Sequence, residues 1–280
     1  MKFISAKKIA RKVLPPLIYD IYSHFRKPPG IEIIKQEYMY FCPVCRNQVM
    51  DFVRLSDLYL EKWEKYGFVH PFLNFETFNY FKYGCPICGS SDRNRLYALY
   101  LERKFSVMAL SKLTYNCLDI APDKNLADWI KKFPFIQYRS VDLYMDGVDD
   151  KADITNLTIY EENKFDFIIC SHVLEHIVDE QKAITELFRV LKPNGFALIM
   201  VPILLTLQED LENPEWTNKN DRWKYYGQDD HVRIYSKEGF IKKLEHAGFK
   251  VIQHDIDYFG KEVFQTHGIH FRSVLYIVEK

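Results

Sequence analysis

Residues 164–202 read KFDFIICSHVLEHIVDEQKAITELFRVLKPNGFALIMVP, and every boundary in the stretch is chemically marked. Phe165, Phe167, Ile168 and Ile169 form an apolar run too short for a helix, the pattern of a strand buried on both faces. Asp179 stands where an N-cap belongs, and Ala183, Ile184, Leu187, Val190 and Leu191 follow at helical spacing. Lys192-Pro193-Asn194-Gly195 stops that helix and turns the chain into a second apolar strand over 196–201. Strand, crossover helix and strand within about forty residues make a parallel βαβ unit, whose loops at the strand C-termini tend to bind ligands.

The alternation extends to both sides. Residues 115–120 read as the first strand, 121–123 as its turn, and 126–130 as part of a helix opened by Pro122 or Asp123. A second strand over 136–141 ends at Asp142, and a short third ends near Ala152-Asp153-Ile154. Beyond the βαβ unit, 236–247 is an amphipathic helix closed by Gly248, and 249–255 and 273–278 supply two last strands. The expected fold is α/β, a Rossmann-like seven-stranded sheet with helices on both faces.

The chain has 280 residues, 48% hydrophobic and 27% charged, which excludes wholesale disorder and leaves room for a small module beside the large domain. The 38 basic and 38 acidic side chains cancel, which argues against a protein that grips nucleic acid mainly through phosphates. No run approaches transmembrane length. Lys2, Lys7, Lys8, Arg11 and Lys12 alternate with Phe3, Ile4, Ile9, Val13 and Leu14, so 1–30 reads as a basic arm able to touch an anionic membrane surface. Pro15-Pro16 interrupts it, and a secretory leader fits poorly. The expected location is cytoplasmic, with peripheral membrane contact through the arm as an open alternative.

Four of six cysteines fall in two knuckles, Cys42-Pro43-Val44-Cys45 and Cys85-Pro86-Ile87-Cys88-Gly89. Two CxxC turns can each aim a thiolate pair at one tetrahedral Zn²⁺, giving a closed structural site. The 39 residues between the pairs must loop out, and the aromatic stretch 57–80 is expected to pack as a helical insertion. A zinc-ribbon-like module is therefore expected over 31–106, ahead of the large domain over 107–280. Cys117 and Cys170 lie in strands and read as small buried hydrophobes.

The Phe165-Asp166 pair, the Ser171-His172-Val173-Leu174-Glu175-His176 loop, the Leu191–Gly195 turn and the strand ending in Val201-Pro202 together resemble the second half of a class I S-adenosylmethionine-dependent methyltransferase domain. With the flanking strands the resemblance covers 112–280. It implies that Asp142 takes the ribose diol, since one carboxylate accepts both hydroxyl protons, and that Asp153 faces the adenine amino group. The family's glycine-rich first loop is replaced here by Asp119-Ile120-Ala121-Pro122-Asp123-Lys124. That wording, with the paired knuckles, is similar to a zinc-ribbon-bearing subgroup in which Ala and Pro stand for the glycines. Asp119, Ala121, Pro122 and Asp123 are then candidate cofactor contacts, with Asp123 either a helix cap or a contact to the cofactor's amino group. Ser171 and His172 would border the sulfonium and the acceptor, with His172 also a catalytic candidate.

His172 to His176 also spells H-x-x-E-H, but a peptidase motif needs a helix, and this one follows directly on a strand. The string GQDDHVRIY at 227–235 lies in a polar insertion of the kind that covers the active site and selects the acceptor. His231 is the expected general base with Asp230 orienting it, and Arg233 the expected anchor for an anionic acceptor. The reading is methyl transfer from S-adenosylmethionine, to oxygen on a small molecule or glycan. A zinc-ribbon RNA methyltransferase, gripping through Arg93, Arg95, Arg103 and Lys104, and a scaffold that has lost the cofactor are the alternatives. Oligomeric state is not legible.

Overall fold

The computed structural model describes residues 39–280; the arm expected over 1–30 lies outside them. In chain order, a hairpin of β1 (Tyr40–Cys42) and β2 (Asn47–Val49) is followed by α1 (Asp57–Tyr66) and a one-turn 3₁₀ helix (Phe72–Asn74). Helix α2 (Asp92–Leu110) leads into β3 (Tyr115–Ile120), α3 (Lys124–Ile130), β4 (Ile136–Val141) and β5 (Phe165–Ser171). A 3₁₀ turn (Leu174–His176), α4 (Glu180–Val190) and β6 (Leu191–Met200) complete the βαβ unit. Then come β7 (Leu211–Glu212), α5 (Lys219–Tyr226), β8 (Arg233–Ile234), α6 (Lys237–His246), β9 (Lys250–His254), α7 (Ile256–Phe259), α8 (Lys261–Thr266) and β10 (Leu275–Glu279).

The main sheet has six strands in the order β4-β3-β5-β6-β10-β9, parallel except for β10, which runs antiparallel to both its neighbours. This corrects the expected seven. Residues 152–154 form no strand, and among the described residues the only pairing beyond β4 is a single parallel bridge between Val141 and Asp150. Side chains occupy that edge instead: the Ser140 backbone N–H donates to Asp149 Oδ2 at 2.8 Å, and Asp150 Oδ1 accepts from Arg139 Nη2 at 2.7 Å. A carboxylate that satisfies an edge N–H removes the donor that a further strand would have used.

The turn expected at 192–195 is taken up inside β6, whose register against β5 shifts between Phe165 and Phe167. Asn194 carries the left-handed φ of 63°, while Gly195 is needed for space, since a Cβ there would stand 2.9 Å from the Asp166 carbonyl oxygen. Asp179 caps α4, accepting from the Lys182 N–H at 3.2 Å. Ala183, Ile184, Leu187 and Val190 are the buried face of that helix, as its spacing indicated.

Helix α2 runs unbroken through the expected module boundary at 106/107. Its Tyr97, Tyr100, Leu101 and Phe105 are buried in the large domain, where the Phe105 ring lies 5.6 Å from Phe167 and 5.7 Å from Trp129. One continuous core therefore includes Cys42 and Val49 of the knuckle region and Leu275 to Val278 of β10. Arg95, fully buried, ties the two parts: Nε donates to the His267 carbonyl at 2.7 Å, and Nη1 to the Tyr83 and Ser90 carbonyls at 3.0 Å. Among the described residues no helix is long and apolar enough to cross a membrane.

Candidate active site

The sheet order reverses between β3 and β5, and the ends of β3, β4 and β5 open there into a crevice of the kind where ligands bind in such sheets. Two residues at this edge hold left-handed backbone without being glycine: Ala121, φ 49°, and His172, φ 58°. Such conformations cost of order 1–3 kcal/mol each and persist where surroundings fix them. Here the fixing bonds are Ala121 N–H to the Val141 carbonyl, 2.9 Å, and His172 N–H to the Met200 carbonyl, 2.8 Å. Ala121 thus adopts the geometry that a glycine-rich first loop would supply.

Three chambers meet at His172. The largest, about 490 Å³, is lined by Ile120, Ala121, Asp142, Asp153, His176 and Asp230 among others. A second, about 190 Å³, runs between β3 and the start of α2, with Asp119, Ala121, Asp123, Ser171, Ser91, Arg93 and Asn94 on its walls. The third, about 110 Å³, is aromatic: Tyr59, Trp63, Phe75, Phe78, Tyr83 and Tyr226 surround it, with Arg93, His172 and His231 as its charged or titratable members.

The acidic residues singled out at the strand ends fall on these walls. Asp142 Oδ1 accepts from the Tyr144 and Met145 N–H groups at 2.7 and 2.5 Å. Asp153 Oδ1 accepts from the Thr155 N–H at 2.8 Å, closing a turn. Asp123 is the N-cap of α3, accepting from Asn125 and Leu126 at 3.0 and 3.1 Å, and it also lines the second chamber. Pro122 is the exception and lines none of the three chambers. Asp119 is fully buried with its Oδ2 accepting from the Tyr138 hydroxyl at 2.7 Å; burial drives its carboxyl up to about 7. Ser171 shares a 2.9 Å hydrogen bond with the Tyr97 hydroxyl.

Around His172 lies a polar cluster that the sequence reading only partly anticipated. Glu175 is completely buried, and its Oε1 is 3.0 Å from His172 Nδ1. Burial works against the Glu175 carboxylate, but the imidazoles of His172, His231 and His176 outweigh it and hold the carboxyl at about 2. His231 is 3% exposed, and its burial pulls the imidazole down to about 4. Asp230 does not orient His231 as expected. It faces His176, Nδ1 to Oδ2 3.4 Å, and the His176 and His231 rings meet edge to face at 4.7 Å. The sequence reading placed Glu175 in the 171–176 loop wording and gave it no role of its own; its burial beside His172 and His231 is set by the fold.

Arg233 is not an anion anchor. It is 1% exposed and donates to the Leu174 and Val178 carbonyls at 3.0 Å, to the Ile177 carbonyl, and to Glu212 Oε1 at 2.8 Å. It staples the 172–178 loop to the 211–235 insertion. The basic cluster considered for RNA is likewise dispersed: Arg95 is internal, Arg93 lines two chambers, and Arg103 leans on Tyr258 and Phe259.

The four knuckle cysteines converge, all Sγ atoms within 4.8 Å of one another, with Cys42–Cys88 and Cys45–Cys85 both at 3.8 Å. None is in a disulfide. A tetrahedral ion with Zn–S bonds of about 2.3 Å needs sulfur–sulfur edges of about 3.8 Å, so the donor set fits zinc. The two knuckles close alike, Arg46 N–H on the Cys42 carbonyl and Gly89 N–H on the Cys85 carbonyl, both 2.8 Å. The positive φ falls on Arg46 (59°) in the first and on Gly89 (79°) in the second.

With this geometry in place, comparison with known proteins is direct. The family model described as a methyltransferase domain matches residues 91–254. The chain belongs to that family, and its fold and cleft make it a class I S-adenosylmethionine-dependent methyltransferase. Among solved structures it is similar to a SAM-dependent methyltransferase from Archaeoglobus fulgidus, at 17% identity over 68% of this chain and 95% of that one, TM-score 0.42. It is also similar to the [4+2]-cyclase SpnF, at 15% identity over 81% of this chain and 97% of that one, TM-score 0.44. No curated protein matches the chain.

Proposed function

We propose that this methyltransferase acts on a hydroxyl oxygen of a small molecule or glycan, and that the observation carrying this reading is the meeting of three chambers at one imidazole, His172. In this reading the largest chamber takes the adenosine part of the cofactor, with the free oxygen of Asp142 on the ribose diol and Asp153 toward the adenine amino group. The second takes the methionine part: Asp119 receives the ammonium and Arg93 the carboxylate, while Ser171, Ala121 and Asp123 form the wall. The aromatic chamber takes the acceptor. Bound S-adenosylmethionine supplies a methyl carbon already activated by positive sulfur.

The chain's own contribution is alignment, exclusion of water and removal of the hydroxyl proton. His172 Nδ1 faces Glu175, which leaves Nε2 as the nitrogen free to take a proton, and we assign the base to His172. His231, the base expected from the sequence, becomes a wall of the acceptor chamber with its Nδ1 turned inward and without a hydrogen-bond partner. Taking that proton, His172 would leave the acceptor oxygen as the nucleophile toward the methyl carbon that bound S-adenosylmethionine would supply. The aromatic lining and the dispersal of the basic side chains support a small acceptor over RNA. The cysteine tetrad, read as a closed zinc centre, leaves no open coordination position and serves structure.

Isothermal titration of the zinc-loaded protein with S-adenosylmethionine and with S-adenosylhomocysteine tests the cofactor reading. Loss of one hydrogen-bonded carboxylate predicts affinity about 10- to 100-fold weaker in Asp142→Ala. Labelled methyl transfer across a panel of hydroxylated, amino and thiol acceptors tests the oxygen assignment. Turnover confined to amines, or full activity in His172→Asn, would sink it.

A further inference from the structure

Glu175 presents a difficulty that neither its role beside His172 nor its packing removes. The carboxylate is wholly withdrawn from water, and neither oxygen has a hydrogen-bond partner among the described residues. No lysine or arginine of the described chain comes within ion-pair distance; the one contact of that kind is His172. The neighbouring imidazoles favour the carboxylate, and a bound cation would complete the coordination that its unpartnered oxygens leave open. The nearest other donors are also incomplete. His231 is 3% exposed, and its Nδ1 has no partner. One ligand atom each from Glu175, His176 and His231 lie within 4.8 Å of one another.

We propose that Glu175, His176 and His231 bind a divalent first-row transition ion, separate from the cysteine tetrad. Two imidazoles and one carboxylate suit manganese, iron, cobalt or zinc, whereas the all-sulfur tetrad selects zinc. The surroundings fit the assignment. Asp230 stands 3.4 Å from His176 Nδ1, the kind of carboxylate partner that orients a metal-bound imidazole. Oε1 of Glu175 faces His172, so the carboxylate can serve the base with one oxygen and the ion with the other.

The three ligands come from two separate segments. Glu175 and His176 sit in the 3₁₀ turn after β5, and His231 sits in the insertion just before β8. The Val232 N–H on the Glu175 carbonyl, 2.9 Å, holds the two segments together. His176 lines the largest chamber and His231 the acceptor chamber, so the ion stands between them. There it offers an acceptor hydroxyl a Lewis acid. That use rests on the oxygen-methylation reading; the binding of the ion does not.

The test is titration of the full chain, loaded with a single zinc equivalent at the all-sulfur tetrad and freed of excess zinc, with Mn²⁺, followed by electron paramagnetic resonance, in the absence of cofactor and acceptor. The expected result is one Mn²⁺ per chain, with affinity falling 100-fold or more in Glu175→Gln and in His176→Ala. Circular dichroism checks the fold of each variant. If a variant does not fold, Co²⁺ titration of the unmodified protein decides: a visible spectrum without thiolate charge-transfer bands supports the site. No bound Mn²⁺ or Co²⁺ in the unmodified chain overturns the proposal, as does Mn²⁺ binding that both folded variants retain. Failure of the methylation reading would instead show as Mn²⁺ bound normally by a protein that transfers no methyl group to any hydroxyl.

Discussion

The indole Nε1–H of Trp63 donates to the Gly227 carbonyl oxygen at 2.9 Å, joining the insertion between the cysteine pairs to the insertion between β6 and α6. Tyr66 stacks on Trp223 at 5.7 Å beside it, and Trp63 itself walls the aromatic chamber. The cysteine-bearing part of the chain is thus one side of the aromatic chamber. Trp63→Phe keeps the apolar surface and removes the hydrogen bond, worth about 1 kcal/mol. We expect the KM for the acceptor to rise several-fold with the Kd for S-adenosylmethionine unchanged. Equal weakening of both constants would show that the contact serves the whole fold rather than the acceptor side.

Asp119 gives the protein a pH dependence with two opposite signs. In the free protein, burial raises its carboxyl from the ordinary 3.8 to about 7. Above 3.8 the unfolded chain releases the proton first, so the stability linked to this group is lost as pH climbs from 3.8 through 7. Cofactor binding runs the other way, since an ammonium group is held by the carboxylate and not by the acid. Affinity for S-adenosylmethionine should therefore rise across pH 6 to 8 while the melting temperature of the free protein falls. Asp119→Asn should flatten both slopes, melt higher than the parent at pH 8, and bind cofactor weakly at every pH. Calorimetry at three pH values checks all of these.

A zinc ion at the four cysteines, as proposed, should influence the cofactor although the tetrad is distant in sequence from the methyltransferase strands. Gly89 lies one residue past Cys88, and Gly89, Ser91, Arg93 and Asn94 line the chamber that Asp119 and Ser171 wall from the other side. Ser91 caps α2, accepting from the Asn94 N–H at 3.2 Å. Removing zinc with a thiol-competitive chelator should loosen this segment and weaken S-adenosylhomocysteine binding by at least about 10-fold, roughly 1.4 kcal/mol. Readdition of one zinc equivalent should restore it. Unchanged binding in metal-free protein that remains folded would confine the centre to a purely local role.

The strand and helix order was legible because it rests on periodicity and caps: Asp179, Asp123 and the apolar runs at 115–120 and 165–169 form elements where their chemistry indicated. The third strand misled because Asp149 and Asp150 sit at an edge, where a side chain can replace a ladder partner, and no sequence pattern distinguishes the two. The four cysteines converge because their spacing carries the requirement, and Asp142 and Asp153 fall on the wall of one chamber. Glu175 and Arg93 were not legible, because their meaning comes from residues 56 and 79 positions away in sequence, His231 and His172, reached only through the fold. Arg233 was misread for a related reason: a charged residue in a polar insertion looks accessible until its partners are known.

Those partners make Arg233 the most sensitive position outside the chambers. Its guanidinium answers carbonyls of Leu174, Ile177 and Val178 as well as the carboxylates of Glu180 and Glu212, with only 1% of the side chain exposed. Arg233→Met preserves length and apolar stem but leaves three carbonyls without their donor and the buried Glu180 carboxylate with only Tyr235 and Lys243. Breaking a buried pair in this way costs about 3–5 kcal/mol, which for a chain of this size lowers the melting temperature by roughly 10 °C. The damage should spread to Glu175, His176 and His231, because Arg233 and the Val232 N–H bond to the Glu175 carbonyl together hold the segment of the first two to that of the third. Hydrogen exchange should therefore quicken over 172–178 and 228–235 before it does in β3 or β6. A variant with parental melting temperature that loses affinity only for anionic acceptors would restore Arg233 to the role of an anion anchor.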